Sequence, residues 1–198
     1  MQILGRTSSI NVRKVLWAAD ELGLSYDRQD ADTASPAFRA LNPNGLIPVL
    51  IDAHGPLWES NAICRHLASG TSLFPTEARA RAVVDQWMEW QATELNSAWR
   101  FAFAGLVRRF PGYDDADRIA TSVRDWNSAM AILDRALDGT GAFVTGQAFT
   151  LADVVIGLSV HRWIASPIER ADLPAVAAYY QRLGARRAFQ PYALPEVP

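Results

Sequence analysis

The chain has 198 residues, enough for one large domain or two small ones with a real core in either case. Hydrophobic residues make up 49% and charged residues 20%, with a formal net charge of −2, so nothing favours binding to nucleic acid or to an anionic membrane. Cys64 is the only cysteine, which excludes a disulfide within the chain and a cysteine-rich metal site, and Lys14 is the only lysine among the basic residues.

The first third alternates short strand-like and helix-like pieces. Gln2 to Leu4 reads as a strand closed by Gly5. Asn11 to Leu22 reads as a helix, with Val12, Val15, Leu16, Ala19 and Leu22 at helical spacing and Gly23 as its stop. Leu24 to Arg28 reads as a second strand. Residues 30–45 carry loop signals around a short helical piece, Phe38 to Leu41. Leu46 to Asp52 and Pro56 to Trp58 read as a strand pair joined at His54-Gly55, and Ser60 to Ala68 as a helix. This order, β-α-β followed by β-β-α, is that of a mixed-sheet α/β domain, expected over residues 1–70.

A linker follows at Ser69-Gly70-Thr71-Ser72 and Phe74-Pro75, and strand signals then vanish. Thr76 to Phe110 is long and apolar-periodic, with Val83, Trp87, Trp90 and Leu95 on or near one face. Pro111-Gly112 breaks it. Asp114 to Leu137 is a second long helix ended by Gly139 and Gly141. A third opens at Phe149-Thr150-Leu151-Ala152-Asp153, where Thr150 and Asp153 have capping-box spacing and Phe149 and Val154 the spacing of a hydrophobic staple. Pro174 suits the first turn of a helix over Ala175 to Leu183. The second domain, 77–198, is expected to be all-helical.

Three places carry unusual chemistry. In Gly5-Arg6-Thr7-Ser8-Ser9, hydroxyls and backbone N–H groups gather at a helix N-terminus, where the dipole adds partial positive charge. That environment stabilises an anion such as a thiolate, but Ser9 suits an ordinary helix cap equally well. Ile47-Pro48 lies in a strand-like run where proline cannot donate to a ladder. It leaves backbone groups free for an extended ligand, or simply opens an edge strand. Glu59-Ser60 puts a carboxylate and a hydroxyl at a helix start, a polar pocket for a zwitterionic end or again a cap. Together they describe a site that holds a small peptide by its backbone and its charged end. Cys64 sits in an apolar helical run and reads as a buried structural thiol. His54, His66 and His161 lack ligand spacing, so no metal is expected.

The segments GRTSSINVRKVLWAADELGLSYD, LNPNGLIPVL, LWESNAICRHL and FTLADVVIG, in that order, resemble the cytosolic glutathione S-transferases, in a bacterial theta- or delta-like form. The resemblance implies a thioredoxin-like first domain, a helical second domain holding the electrophile pocket and dimer contacts, and a homodimer. It implies that glutathione is the cosubstrate, with Ser9 and Asn11 against the sulfur. Ile47, Pro48, Glu59, Ser60 and Gly45 fall in the glutathione-binding set. Pro48 would be the cis proline. Gly45 stands where delta-like relatives carry a glutathione-contacting histidine, which implies one glycyl contact fewer, and Asp30 to Phe38 is short for the family. FTLAD matches the family's structural capping motif. The implied activity is conjugation of the glutathione thiolate to a small hydrophobic electrophile, with Trp99 and Phe103 as candidates for its pocket. Isomerase or peroxidase chemistry uses the same thiolate, and a non-catalytic glutathione-binding protein on the same fold is the alternative. With no apolar run of membrane-spanning length and no secretory pattern in MQILGRTSS, a detoxifying, cytoplasmic protein is expected.

Overall fold

The computed structural model describes residues 1–193. The chain forms two compact units, Met1–Thr76 and a second beginning at Glu77.

The first unit is built on a sheet of order β2-β1-β3-β4, from β1 (Gln2–Leu4), β2 (Asp27–Gln29), β3 (Val49–Asp52) and β4 (Gly55–Trp58). Strands β1 and β2 are parallel, joined by α1 (Ile10–Glu21); β1 with β3 and β3 with β4 are antiparallel. This is a thioredoxin-like arrangement, completed by α2 (Pro36–Leu41) and α3 (Ser60–Leu67). The hairpin turn is Ala53-His54, one residue earlier than expected, because Gly55 already pairs with Asp52. Strand β2 starts later than the apolar residue Leu24 suggested. Strand β3 starts only after Pro48, since residues before a proline lacking an N–H cannot extend the ladder. Helix α1 is buried on nearly every side, Arg13 and Lys14 included, so its polar residues do not mark a solvent face.

The second unit is helical: α4 (Ala78–Trp90), α5 (Asn96–Leu106), α6 (Ala116–Thr140), α7 (Leu151–Ala165) and α8 (Pro174–Gly184). The expected single helix from Thr76 to Phe110 is α4 and α5 joined by one π-helical stretch, Gln91–Leu95. There the buried Gln91 amide donates to Asn96 Oδ1 at 2.9 Å and to Ser159 Oγ at 3.1 Å on α7. The buried positions of α4 are Val84 and Met88, while Val83, Trp87 and Trp90 are half-buried. Helix α6 runs through Gly139 and ends at Gly141, whose positive φ of 73° lets its N–H reach the Leu137 carbonyl at 2.8 Å. Helix α7 is the apolar centre of the unit, buried from Leu151 to Trp163. No helix among the described residues is long and apolar enough to cross a membrane.

Candidate active site

The sheet register aligns Leu4, Val49 and Trp58 in one row across β1, β3 and β4. The chain leaves β1 just beyond that row at Gly5, enters β3 just before it at Ile47-Pro48, and leaves β4 just beyond it at Glu59-Ser60. Three segments distant in sequence therefore meet at one end of one sheet.

Gly5 permits the first approach. Its N–H donates to the Gln29 carbonyl at 2.7 Å, and its φ is +147°. A Cβ there would lie 2.5 Å from Val12 Cγ2 and 3.1 Å from Ile47 Cβ, so only glycine lets α1 and the Ile47 segment close on the end of β1. Ser9 takes the N-cap position of α1, in extended conformation, with its carbonyl accepting from the Arg13 N–H at 3.0 Å. Its hydroxyl makes no capping hydrogen bond. The half-buried Ser9 side chain is thus left uncommitted at the positive end of the helix, with half-buried Asn11 two residues on. Thr7 is exposed, and Ser8 is half-buried.

The Ile47-Pro48 peptide bond is cis, and Pro48 is buried. The loop before it is held by Asn42, a buried residue that the sequence marks only as part of a loop signal. Its amide donates to the Leu46 carbonyl at 2.7 Å and its Oδ1 accepts from the Asn44 N–H at 3.1 Å. The asparagine-proline-asparagine run was a visible turn signal, but only the fold shows which backbone it anchors. Among the described residues no hydrogen bond engages the backbone of Ile47.

Glu59 is the N-cap residue of α3, with φ 71° and ψ 112°, a conformation that disfavours a non-glycine residue. Its exposed carboxylate makes no capping bond, although its carbonyl accepts from the Ile63 N–H at 2.9 Å. Ser60 is buried in the first turn of α3. The strained backbone holds the Glu59 side chain beside a helix N-terminus without using it to cap that helix.

Gly45 has φ +64°, and the guanidinium of Arg39 lies over it, with Cζ 3.2 Å from where a Cβ would stand. Six residues and a turn separate the two in sequence, so no local spacing signalled the contact. Cys64 is buried in α3, and burial pushes its thiol up to about 12 against the smaller opposing pull of Lys14 and Arg65. That thiol is inert. Among the described residues no three histidine, cysteine or carboxylate side chains gather as a metal site.

In the helical unit, Trp99 and Phe103 stack edge to face, with ring centres 5.3 Å apart. Phe103 is buried, and the Arg162 guanidinium covers both rings at 4.6 and 4.0 Å from their centres. Of the Trp99 to Phe103 stretch, Phe101 lines a cavity of about 320 Å³ with Ser97, Thr121 and Ser122, between α5 and α6. Trp90, Glu94 and Ile132 border a neighbouring one of about 410 Å³.

This sheet with its three convergent loops is matched by known proteins. Residues 8–69 match the family described as Glutathione S-transferase, N-terminal domain. The chain is 34% identical to Glutathione S-transferase GstB of Escherichia coli (strain K12), over 93% of each chain. It is 31% identical to Glutathione S-transferase 3 of Zea mays, over 96% of this chain and 91% of that protein. The crystal structure of a theta class glutathione S-transferase from Xanthomonas axonopodis pv. citri, with glutathione bound, superposes with a TM-score of 0.89. That match has 38% identity and covers 98% of this chain and 96% of that one. The chain belongs to the glutathione S-transferase family.

Proposed function

We propose that this glutathione transferase ionises the thiol of glutathione at Ser9 and adds it to a small hydrophobic electrophile. The observation that carries the assignment is the Ser9 side chain: it occupies a helix N-cap and makes no capping bond. It donates to the sulfur, and Asn11 assists. Ile47 exchanges backbone hydrogen bonds with the cysteinyl residue beside Pro48. Glu59 takes the γ-glutamyl ammonium, and Ser60 with the N-terminus of α3 takes its carboxylate. The relative of TM-score 0.89 solved with glutathione supports the same cosubstrate here. A cytoplasmic, detoxifying homodimer is part of this reading, with the electrophile held by the helical unit.

Lowering a thiol pKa from ~8.5 to ~6.5 takes ~2.7 kcal/mol of differential stabilisation. One hydrogen bond to a charged sulfur, worth ~1.5–3 kcal/mol, supplies most of that. At pH 7 the thiolate fraction then rises from ~3% to ~75%. Ser9→Ala is therefore expected to lower turnover at pH 7 by about 25-fold. Its pH–rate profile moves up towards that of free glutathione, and the Kd for glutathione stays nearly constant. Unchanged turnover removes Ser9 from the chemistry.

One finding favours a second reading. The chain is also 26% identical, over 86% of its length, to Elongation factor 1-gamma 1 of Oryza sativa subsp. japonica, of which it spans only 43%. The fold thus recurs within longer proteins not named as transferases, and a binding role without catalysis is a distinct outcome. Glutathione binding without conjugation, isomerisation or peroxide reduction would establish it.

A further inference from the structure

Resting on the conjugation reading above, we propose that Arg6 selects among electrophiles by charge: the substrate class is an apolar electrophile that carries a carboxylate or similar anion near its reacting carbon. The place of Arg6 follows from a turn. The Ser9 N–H donates to the Arg6 carbonyl at 3.1 Å, which closes a β-turn with Thr7 and Ser8 at its centre. Such a turn brings its two end residues within about 7 Å of each other. Gly5, one residue earlier, is tied to the end of β1 by its hydrogen bond to the Gln29 carbonyl at 2.7 Å. Arg6 and Ser9 therefore stand as neighbours on a loop fixed at both ends, by the sheet before it and by α1 after it.

Arg6 is exposed, and among the described residues its side chain makes no hydrogen bond or ion pair. The nearby basic residues are otherwise placed: Arg28 donates to the Gly5 carbonyl and to Asp30, and Arg13 and Lys14 are buried in α1. In sequence no acid accompanies Arg6, since the first acidic residue of the chain is Asp20 and the first turn of α1 holds none. An exposed guanidinium acts on the sulfur only through solvent. Two unit charges about 7 Å apart in water alter an ionisation by no more than about 3-fold, so Arg6 adds little to what the Ser9 hydroxyl supplies. A planar guanidinium with unused N–H groups is instead suited to a carboxylate in two-point contact. The reacting carbon must approach the sulfur to about 3–3.5 Å, so a carboxylate one ring's breadth from that carbon comes within reach of a side chain rooted at Arg6. The step itself is ordinary substitution on an aryl halide. The sulfur forms a bond to the ring carbon, chloride leaves with the electron pair of the broken carbon–chlorine bond, and the thiol proton passes to solvent. The carboxylate only anchors the ring.

The test is steady-state conjugation by the full-length protein of two matched aryl halides, a para-chlorodinitrobenzoate and the neutral para-chlorodinitrobenzamide. Each rate is divided by the rate with free glutathione, which removes the intrinsic difference in reactivity. Wild type is expected to favour the benzoate about 10-fold in kcat/KM, through KM rather than kcat. Arg6→Gln is expected to lose that preference, with an unchanged rate on the benzamide, an unchanged KM for glutathione, an unchanged pH–rate profile and an unchanged thermal midpoint. Arg6→Lys falls between, and raising salt erodes the preference of wild type but not the residual activity of Arg6→Gln. No preference in wild type overturns the proposal alone, as does an equal loss on both substrates or a raised KM for glutathione in Arg6→Gln, which would give the charge to the cosubstrate. A wild type that conjugates neither substrate while binding glutathione overturns the conjugation reading and this proposal with it.

Discussion

Replacing Asp153 should cost more stability than any other single polar change in the helical unit, and by an amount that depends on pH. Asp153 is fully buried at the start of α7. Its Oδ1 accepts from the Val144 N–H at 2.9 Å and from the Tyr179 hydroxyl at 3.2 Å. Its Oδ2 accepts from the Thr150 N–H at 2.8 Å and the Thr150 hydroxyl at 3.2 Å. Asp153→Ala strands at least three buried donors, each costing ~1–3 kcal/mol. Against this stands the burial of a charge: desolvation outweighs those hydrogen bonds and raises the carboxyl from 3.8 to about 6, a penalty of ~3 kcal/mol on the ionised form. The net expectation is ~3 kcal/mol of destabilisation at neutral pH. Equilibrium urea unfolding reads this as a lower midpoint at unchanged slope. The pH dependence has a definite sign. The folded state holds the proton more tightly than the unfolded chain, so the contribution of Asp153 is fully present below pH 3.8 and lost as pH rises through about 6. The stability gap between wild type and the non-titrating Asp153→Asn should therefore narrow by ~2.4 kcal/mol between pH 4 and pH 7. A gap that stays constant or widens with pH would refute the claim that desolvation dominates, and a loss under ~1 kcal/mol for Asp153→Ala would refute the bonding account.

Two further expectations concern the first unit. Glu59→Gly relieves the left-handed backbone and is expected to raise stability by ~1 kcal/mol while weakening glutathione binding at least 10-fold. Thermal melts beside binding titrations separate the two effects, and loss of stability would show that the Glu59 side chain is structural. Cys64, with its buried thiol pushed up to about 12, should resist an aromatic disulfide reagent at pH 8 in the native protein and react at once in guanidinium. Rapid native labelling would contradict its burial.

The features that sequence reasoning located are those governed by neighbours within a few residues. Gly5 and Gly141 mark turns by their own backbone freedom, Thr150 and Asp153 cap over three positions, and Pro48 stops a strand because it lacks a donor. What it missed is set by contacts across the fold. The buried stripe of α4 turns on Val84 and Met88 rather than Val83, and a π-helical stretch follows at Gln91–Leu95, whose buried amide reaches Ser159, 68 positions away. Arg162 covers Trp99 and Phe103 from another helix, which no periodicity in 99–103 announces. Arg39 reaches Gly45 because an asparagine-anchored loop folds back on α2.

The candidate site itself stands out where local rules fail without a structural reason. A serine at an N-cap normally caps, yet Ser9 does not. A glutamate normally avoids positive φ, yet Glu59 adopts it and then leaves its carboxylate in solvent. Each departure leaves a bond unmade or strains the backbone, and such local violations concentrate at functional sites. Both follow strand ends at the row Leu4, Val49 and Trp58, so one sheet end carries a hydroxyl and a carboxylate that cap no helix. On the proposed reading, a zwitterionic peptide bearing a thiol is complementary to that pair, ammonium to Glu59 and sulfur to Ser9.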